Sequence, residues 1–277
     1  MINQSESFEG RENKILFYQK WMPEGDIKAN FVAIHGWGSH SDRFKTLAEF
    51  LTEKGSAIYS FDLRGHWRNI GNYPGHIDSM DHIQKDLVLF MDLISRESKN
   101  KSIFLLGHSF GGLISLIYAI NRLDLAGIIV SSPLLSLSEK INPGKKMVKN
   151  LSAKFTPEKT IPFTMDQKDL TSDLKILREF IADKNKLDVI SAKSFIEMDK
   201  AMRWALENAS KLVCPILIMQ AGNDKIGDKS KTKEFFDKIK SQDKSYKEYD
   251  GFLHDLWNEK KRAQVYQDMY VWIQKHT

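Results

Sequence analysis

The pentapeptide Gly107-His108-Ser109-Phe110-Gly111 constrains this chain more than any other stretch, because of what stands on either side of it. The apolar run Ser102–Leu106 leads in as a strand, and Gly112-Leu113-Ile114-Ser115-Leu116 leads out as a helix. A serine on a sharp strand-to-helix turn projects its hydroxyl from the end of a sheet, and glycines two residues before and after keep side chains out of the crowded bend. The helix N-terminus behind it favours negative charge developing beside the serine. Ser109 is therefore expected to be a nucleophile. A tight Gly/Ser turn with no chemistry is the competing reading.

Such a turn needs a sheet, and the chain supplies one. Short β-type runs at Phe31–His35, Ala57–Phe61, Ser102–Leu106, Gly127–Ser131, Pro215–Gln220 and Lys247–Tyr249 alternate with helical stretches. The helices are expected at Asp42–Lys54, His76–Glu97, Gly111–Asn121, Lys229–Ile239 and Lys260–Lys275, the last with apolar Val265, Met269 and Trp272 at helical spacing. This alternation predicts an α/β fold, a mostly parallel twisted sheet with helices on both faces, with Ile15–Trp21 as an early antiparallel strand. The 277 residues are read as one domain.

Between about Leu135 and Lys211 the alternation lapses. The pattern there is helical and loop-like with no clear strand, divided by Pro143, Pro157 and Pro162, with helices expected at Asp173–Lys184 and Ser191–Asn208. A block of that length between two core strands predicts an inserted helical cap, or lid, folded over the turn. Met147, Leu151, Phe155, Ile161, Phe163 and Met165 have no core strand of their own. They are expected to divide between packing the lid down and lining a pocket over Ser109.

A serine hydroxyl is a poor nucleophile until a base takes its proton, and the base must itself be held by a third group. On an elbow of this kind the chain order is serine, acid, histidine. Of the eight histidines only His254 and His276 follow Ser109. His276 is penultimate and expected to fray. His254 follows the final strand on a glycine-containing loop and is the expected base. Asp224 directly follows the strand Pro215–Gln220 and is the expected acid, ahead of Asp228 and Asp250; Asp255, next to the base, would project elsewhere. Two backbone N–H groups must hold the oxyanion. Those of Phe110, after the nucleophile, and Trp37, in the turn His35-Gly36-Trp37-Gly38, are the expected pair. His35 is read as a residue that braces this loop.

Composition narrows the alternatives. The one cysteine, Cys214, excludes an internal disulfide and a thiolate zinc site and, beside Pro215 in an apolar run, reads as a buried structural thiol. The formal charge of +5 raises nucleic acid or anionic membrane as partners. Yet the excess is thin. It is densest at Lys140–Lys159, where lysines 140, 145, 146, 149, 154 and 159 face Glu139 and Glu158, with no Arg block or aromatic RNA signature. A solvated lysine face is expected, with no nucleic-acid partner and with peripheral membrane contact through the cap as the remaining option. No apolar run is long enough for a membrane span. The polar, acidic start MINQSESFEGRENK does not read as a signal peptide, which makes the cytoplasm the expected compartment.

His-Gly-Trp-Gly at 35–38, Asp62-Leu63-Arg64-Gly65-His66, Gly-His-Ser-Phe-Gly-Gly at 107–112, Gly-Asn-Asp at 222–224 and His254 together resemble the monoacylglycerol lipase and lysophospholipase branch of the α/β-hydrolases, also grouped with the serine aminopeptidases. The resemblance implies cofactor-free hydrolysis of single-chain acyl glycerols or lysophospholipids. It carries catalytic roles onto Ser109, Asp224 and His254 and oxyanion roles onto Trp37 and Phe110. Two positions depart from the family: Trp67-Arg68-Asn69 stands where a further glycine and a nearby serine are common, and Trp37 where a small residue is frequent. A short-chain carboxylesterase or thioesterase with the same triad is the alternative. An aminopeptidase, which needs an acidic pocket for the substrate amine, and a non-catalytic ligand-binding protein stand behind it.

Overall fold

The computed structural model describes residues 1–98, 102–138 and 155–277. Its frame is a sheet of eight strands: β1 (Ile2–Glu9), β2 (Ile15–Met22), β3 (Ala29–Ile34), β4 (Ser56–Phe61), β5 (Ile103–His108), β6 (Gly127–Ser131), β9 (Ile216–Ala221) and β10 (Lys244–Tyr249). They lie in the order β1-β2-β4-β3-β5-β6-β9-β10. β2 pairs antiparallel with both β1 and β4, and every other pairing is parallel. Strands β3, β4, β5, β6 and β9 are buried at every position, as strands covered on both faces must be.

Successive residues of one strand serve two separate cores. Val32 and Ile34 pack on the face covered by α2 (Met80–Glu97) and α3 (Phe110–Asn121). Phe31 and Ala33 pack on the other, against α1 (Lys45–Glu53) and α7 (Arg262–Ile273). The expected strands and helices are all present, with boundaries shifted by a few residues. One larger shift is α2, which starts at Met80 and not at His76. The Ser79 hydroxyl caps it by accepting the His82 N–H at 3.2 Å, while His76 and Ile77 are drawn to Ser191 Oγ (2.8 Å) and Ser194 Oγ (2.6 Å). The edge strand β1 escaped the sequence reading because seven of its eight residues lie outside the core, Phe8 alone being buried.

The segment between β6 and β9 corrects one expectation. Alongside the anticipated helices α4 (Leu174–Ala182) and α5 (Ala192–Asn208) it contains two strands, β7 (Thr160–Pro162) and β8 (Val189–Ser191), paired as an antiparallel ribbon. Three residues are too few to display an alternating pattern, which is why no strand was legible there. Asp173 and Ser191 cap the two helices through the N–H groups of Lys175, Ile176 and Ser194. Met147, Leu151, Pro143 and lysines 140, 145, 146, 149 and 154 lie outside the described residues. Among the described residues no helix is long and apolar enough to cross a membrane.

The sequence Asp62–Asn69 is a junction. The Arg64 guanidinium grips the Asp86 carboxylate of α2 with two bonds, one of them at 2.8 Å, and the same carboxylate accepts the Arg11 N–H at 2.7 Å. Trp67 has φ +31°, a left-handed conformation that costs a bulky residue about 1–2 kcal/mol and that glycine adopts freely. The ring is held by its neighbours, tilted 4.5 Å from the His40 ring and 3.2 Å beneath the Arg68 guanidinium.

Candidate active site

Ser109 stands where β5 hands over to α3, at φ +54° and ψ −119°. The strain is held by backbone bonds: its N–H donates to Ser131 (3.0 Å), and its carbonyl accepts from Leu113 (3.1 Å) and Leu134 (2.9 Å). Gly111 is obligatory, since a Cβ there would lie 2.0 Å from the Ile34 carbonyl oxygen. Local sequence dictates this bend: an apolar strand and an apolar helix both bury fully, and only glycine lets them meet so tightly.

A cavity of about 40 Å³ opens beside the serine. Gly36, Trp37, His108 and His254 line it, together with Met165 and Leu170 from the segment between β6 and β9. Asp224, just past the end of β9, is hydrogen-bonded to His254 Nδ1 at 2.8 Å, and both side chains are 1% exposed. A carboxylate only accepts, so the imidazole proton sits on Nδ1 and Nε2 presents a lone pair. That Nε2 is buried and has no hydrogen-bond partner among the described residues. Burial alone would raise the Asp224 pKa, but the electrostatic attraction and hydrogen bond of the His254 imidazole and the N–H groups of Gly227 and Ile226, each at 2.9 Å, outweigh it and hold the carboxyl below its ordinary range.

The surroundings separate these residues from their competitors. Asp228 caps α6 (Lys229–Lys238) by accepting the Ser230 N–H at 2.9 Å, Asp250 is exposed, and Asp255 accepts from Asn258 Nδ2 at 2.9 Å. His35 braces its loop as expected: Nδ1 donates to the Gly36 carbonyl (2.8 Å) and Nε2 accepts the Leu63 N–H (2.9 Å). Burial keeps it neutral. His276 is not frayed but docked. It stacks on Trp272, and its ring nitrogens reach the Trp272 carbonyl (2.7 Å) and Asp243 (2.8 Å), before the start of β10 and at the end of the sheet away from Ser109. Cys214 is buried, which pushes its thiol up to about 11.

Phe110 opens α3, so its N–H is among those a helix leaves without an internal acceptor. Trp37 lies in the turn closed by the Ser39 N–H on the Gly36 carbonyl at 3.2 Å. Its indole is 3% exposed. Four residues beside this pair went unforeseen. Gln220 donates to Asp224 Oδ2 at 3.1 Å; a glutamine ending the apolar run Ile216–Met219 was its signal. His108, driven by burial to about 4 and so neutral, sets its ring 5.0 Å from that of His254. The carbonyls of Asp169 and Leu170 accept the N–H groups of His254 (3.2 Å) and Asp255 (2.8 Å), contacts no sequence pattern encodes. Of the residues expected to line a lid pocket, Met165 lines the cavity, Phe163 and Ile161 pack against the core, and Phe155 is exposed.

Comparison with known proteins gives a consistent picture. Residues 25–261 match the family model described as serine aminopeptidase, S33. An uncharacterized abhydrolase domain-containing protein of Dictyostelium discoideum is 28% identical over 95% of this chain, which spans only 28% of that protein's length. A monoglyceride lipase of Saccharomyces cerevisiae is 29% identical over 99% of this chain and 93% of its own. The crystal structure of a Paleococcus ferrophilus monoacylglycerol lipase superposes with a TM-score of 0.85 at 27% identity, covering 95% of this chain and 99% of that one. The fold is that of the α/β-hydrolases.

Proposed function

Since the chain belongs to the serine aminopeptidase S33 family, we propose that it is a serine ester hydrolase acting on monoacylglycerols or lysophospholipids through an acyl-enzyme on Ser109. The observation that carries this reading is the buried Asp224–His254 pair, whose free Nε2 shares a cavity with a serine on a strained strand-to-helix turn. In the mechanism, Ser109 Oγ attacks the ester carbonyl as His254 Nε2 takes its proton. The N–H groups of Trp37 and Phe110 hold the oxyanion. His254 then returns the proton to the departing alcohol, leaving the acyl group on Ser109. A water, deprotonated by the same imidazole, releases the carboxylic acid. Asp224 keeps the imidazole in the required tautomer and stabilises its charged form. No step needs a cofactor.

The segment from about 135 to 211 serves as a cap in this proposal. The cavity side chains Arg43, Gln167, Lys186 and Asp188 suit the polar alcohol of the ester, and Met165 and Leu170 its acyl end. The relatives named above as monoglyceride lipases support the substrate class. The test is kcat/KM across glycerol monoesters from acetyl to oleoyl, with lysophospholipids and an aminoacyl anilide in parallel. Specificity should climb over the first acyl carbons, each buried methylene contributing about 0.8 kcal/mol, and fall once the pocket is full. A monotonic fall from acetyl upward would leave a short-chain esterase in place of a lipase, and labelling of the Ser109→Ala variant by a fluorophosphonate would remove the nucleophile assignment.

A further inference from the structure

We propose that the Trp37 side chain sets the acyl-length limit of this site. The inference rests on Ser109 being the nucleophile. A pocket for a drug-sized ligand encloses about 300–1,000 Å³, and the cavity beside Ser109 encloses about 40 Å³. Something fills the space a long chain would need, and the residue that fills it beside the serine is an indole. Trp37 is 3% exposed and lines the cavity. It heads a row of aromatic rings that leads away from the nucleophile. Its ring lies 5.4 Å from that of Phe110, the residue after the serine, and 6.2 Å from Phe163, which lies 6.3 Å from Phe195 on α5. Of these rings Trp37 alone lines the cavity, and Phe110, Phe163 and Phe195, with the His66 ring at 4.8 Å, pack behind it in the core. Beside Met165 and Leu170 the indole makes this the apolar side of the site, suited to an acyl chain.

The wall is backed and cannot retreat alone. Trp37 Nε1 donates to the Val189 carbonyl of β8 at 3.2 Å, and the Leu187 N–H donates to the Gly38 carbonyl at 3.0 Å. On the far side of β8 the Ser191 N–H donates to the Gly75 carbonyl at 3.0 Å. The ribbon behind the indole is thus clamped between two loops of the core. Gly38 and Gly75 approach it so closely that a Cβ on either would lie 2.5 Å and 2.7 Å from the carbonyl oxygens of Leu187 and Val189. Access for a longer chain requires a smaller side chain at 37.

The experiment compares kcat/KM for lauroyl and butyryl esters in the wild type and in Trp37→Ala, Trp37→Leu and Trp37→Phe. Each methylene newly admitted to an apolar pocket is worth about fourfold, so the lauroyl-to-butyryl ratio should rise at least about tenfold in Trp37→Ala and by an intermediate factor in Trp37→Leu. Trp37→Phe keeps a ring but loses the Val189 bond, and its ratio should stay near that of the wild type. An equal loss on both esters would show a structural role only and overturn the proposal. A wild-type measurement stands independently of how the variants fold: inactivation by alkyl phosphonofluoridates should slow once the alkyl chain exceeds a few carbons. A rate that rises through dodecyl would overturn the proposal. Failure of the wild type to react with any ester or phosphonate would instead overturn the reading of Ser109.

Discussion

At the scale of single residues, the proposed mechanism divides groups that would act from groups that would only support. Ser109→Ala should lower turnover by about 10⁶ if the serine, acid and base operate as a unit, with the melting temperature little changed; steady-state kinetics on a chromogenic ester checks it. The two neighbouring aspartates should part company. Asp224→Asn removes the acceptor that fixes the His254 tautomer, and a fall of about 10⁴ in kcat is expected. Asp228→Asn should leave activity intact, because asparagine caps a helix as well as aspartate does and α6 needs only the cap. The reverse ranking would move the acid role to Asp228.

At the scale of elements, the segment between β6 and β9 is fastened to the loop that carries Trp37. Just beyond α4, Asp183 accepts from His40 Nε2 (2.8 Å), Arg43 Nη2 (2.7 Å) and the Asn185 N–H (2.8 Å), and the Arg43 guanidinium lies 3.6 Å over the Phe180 ring. Burial works against the charged carboxylate, but these partners outweigh it and hold the Asp183 pKa far below the usual range. A folded-state pKa below the unfolded one means stability that is whole above the unfolded value of about 3.9 and is lost as the pH falls through the folded value. Acidification well below pH 4 should therefore release this fastening. Asp183→Asn should do so at neutral pH, at a cost of about 2 kcal/mol for a partly buried pair. Limited trypsinolysis at Lys184 and Lys186 reads it out; unchanged cleavage would show that the ribbon contacts suffice. Gly38→Ala should be more damaging, since φ +71° and the Leu187 oxygen both exclude a side chain there.

At the scale of the whole molecule, one buried ion pair joins three parts of the chain. Asp86 is 1% exposed and binds Arg64 and the Arg11 N–H. Arg64→Ala strands that carboxylate and should cost about 3–5 kcal/mol in denaturant unfolding, while activity per folded molecule stays close to that of the wild type. α4 exposes Leu174 and Ile181, and Lys175 and Arg178 on the same helix are exposed as well. With a formal charge of +5, the protein should float with anionic vesicles at low salt and be released as the Debye length falls to about 3 Å near 1 M salt. No flotation at low salt would rule out peripheral contact with an anionic membrane.

What the sequence determined by itself is whatever depends on neighbours along the chain. Apolar runs of strand length between helical stretches foretold the sheet. Glycines around Ser109 foretold the bend, because the crowding they relieve is local. The pairing of Asp224 with His254 was legible because each follows a strand whose end fixes where it goes. Tertiary structure alone decided the rest. β1 shows no apolar alternation and exists because β2 offers an unpaired edge. The β7–β8 ribbon is too short to announce itself and is held by the Gly38 and Gly75 loops, far away in sequence. The same holds for the indole of Trp37. Its presence could be read from one letter, but whether it faces solvent, substrate or core depended on three aromatic rings and a carbonyl brought together from four separate stretches of the chain. Local sterics are written residue by residue, whereas contacts between distant segments exist only once the chain has folded.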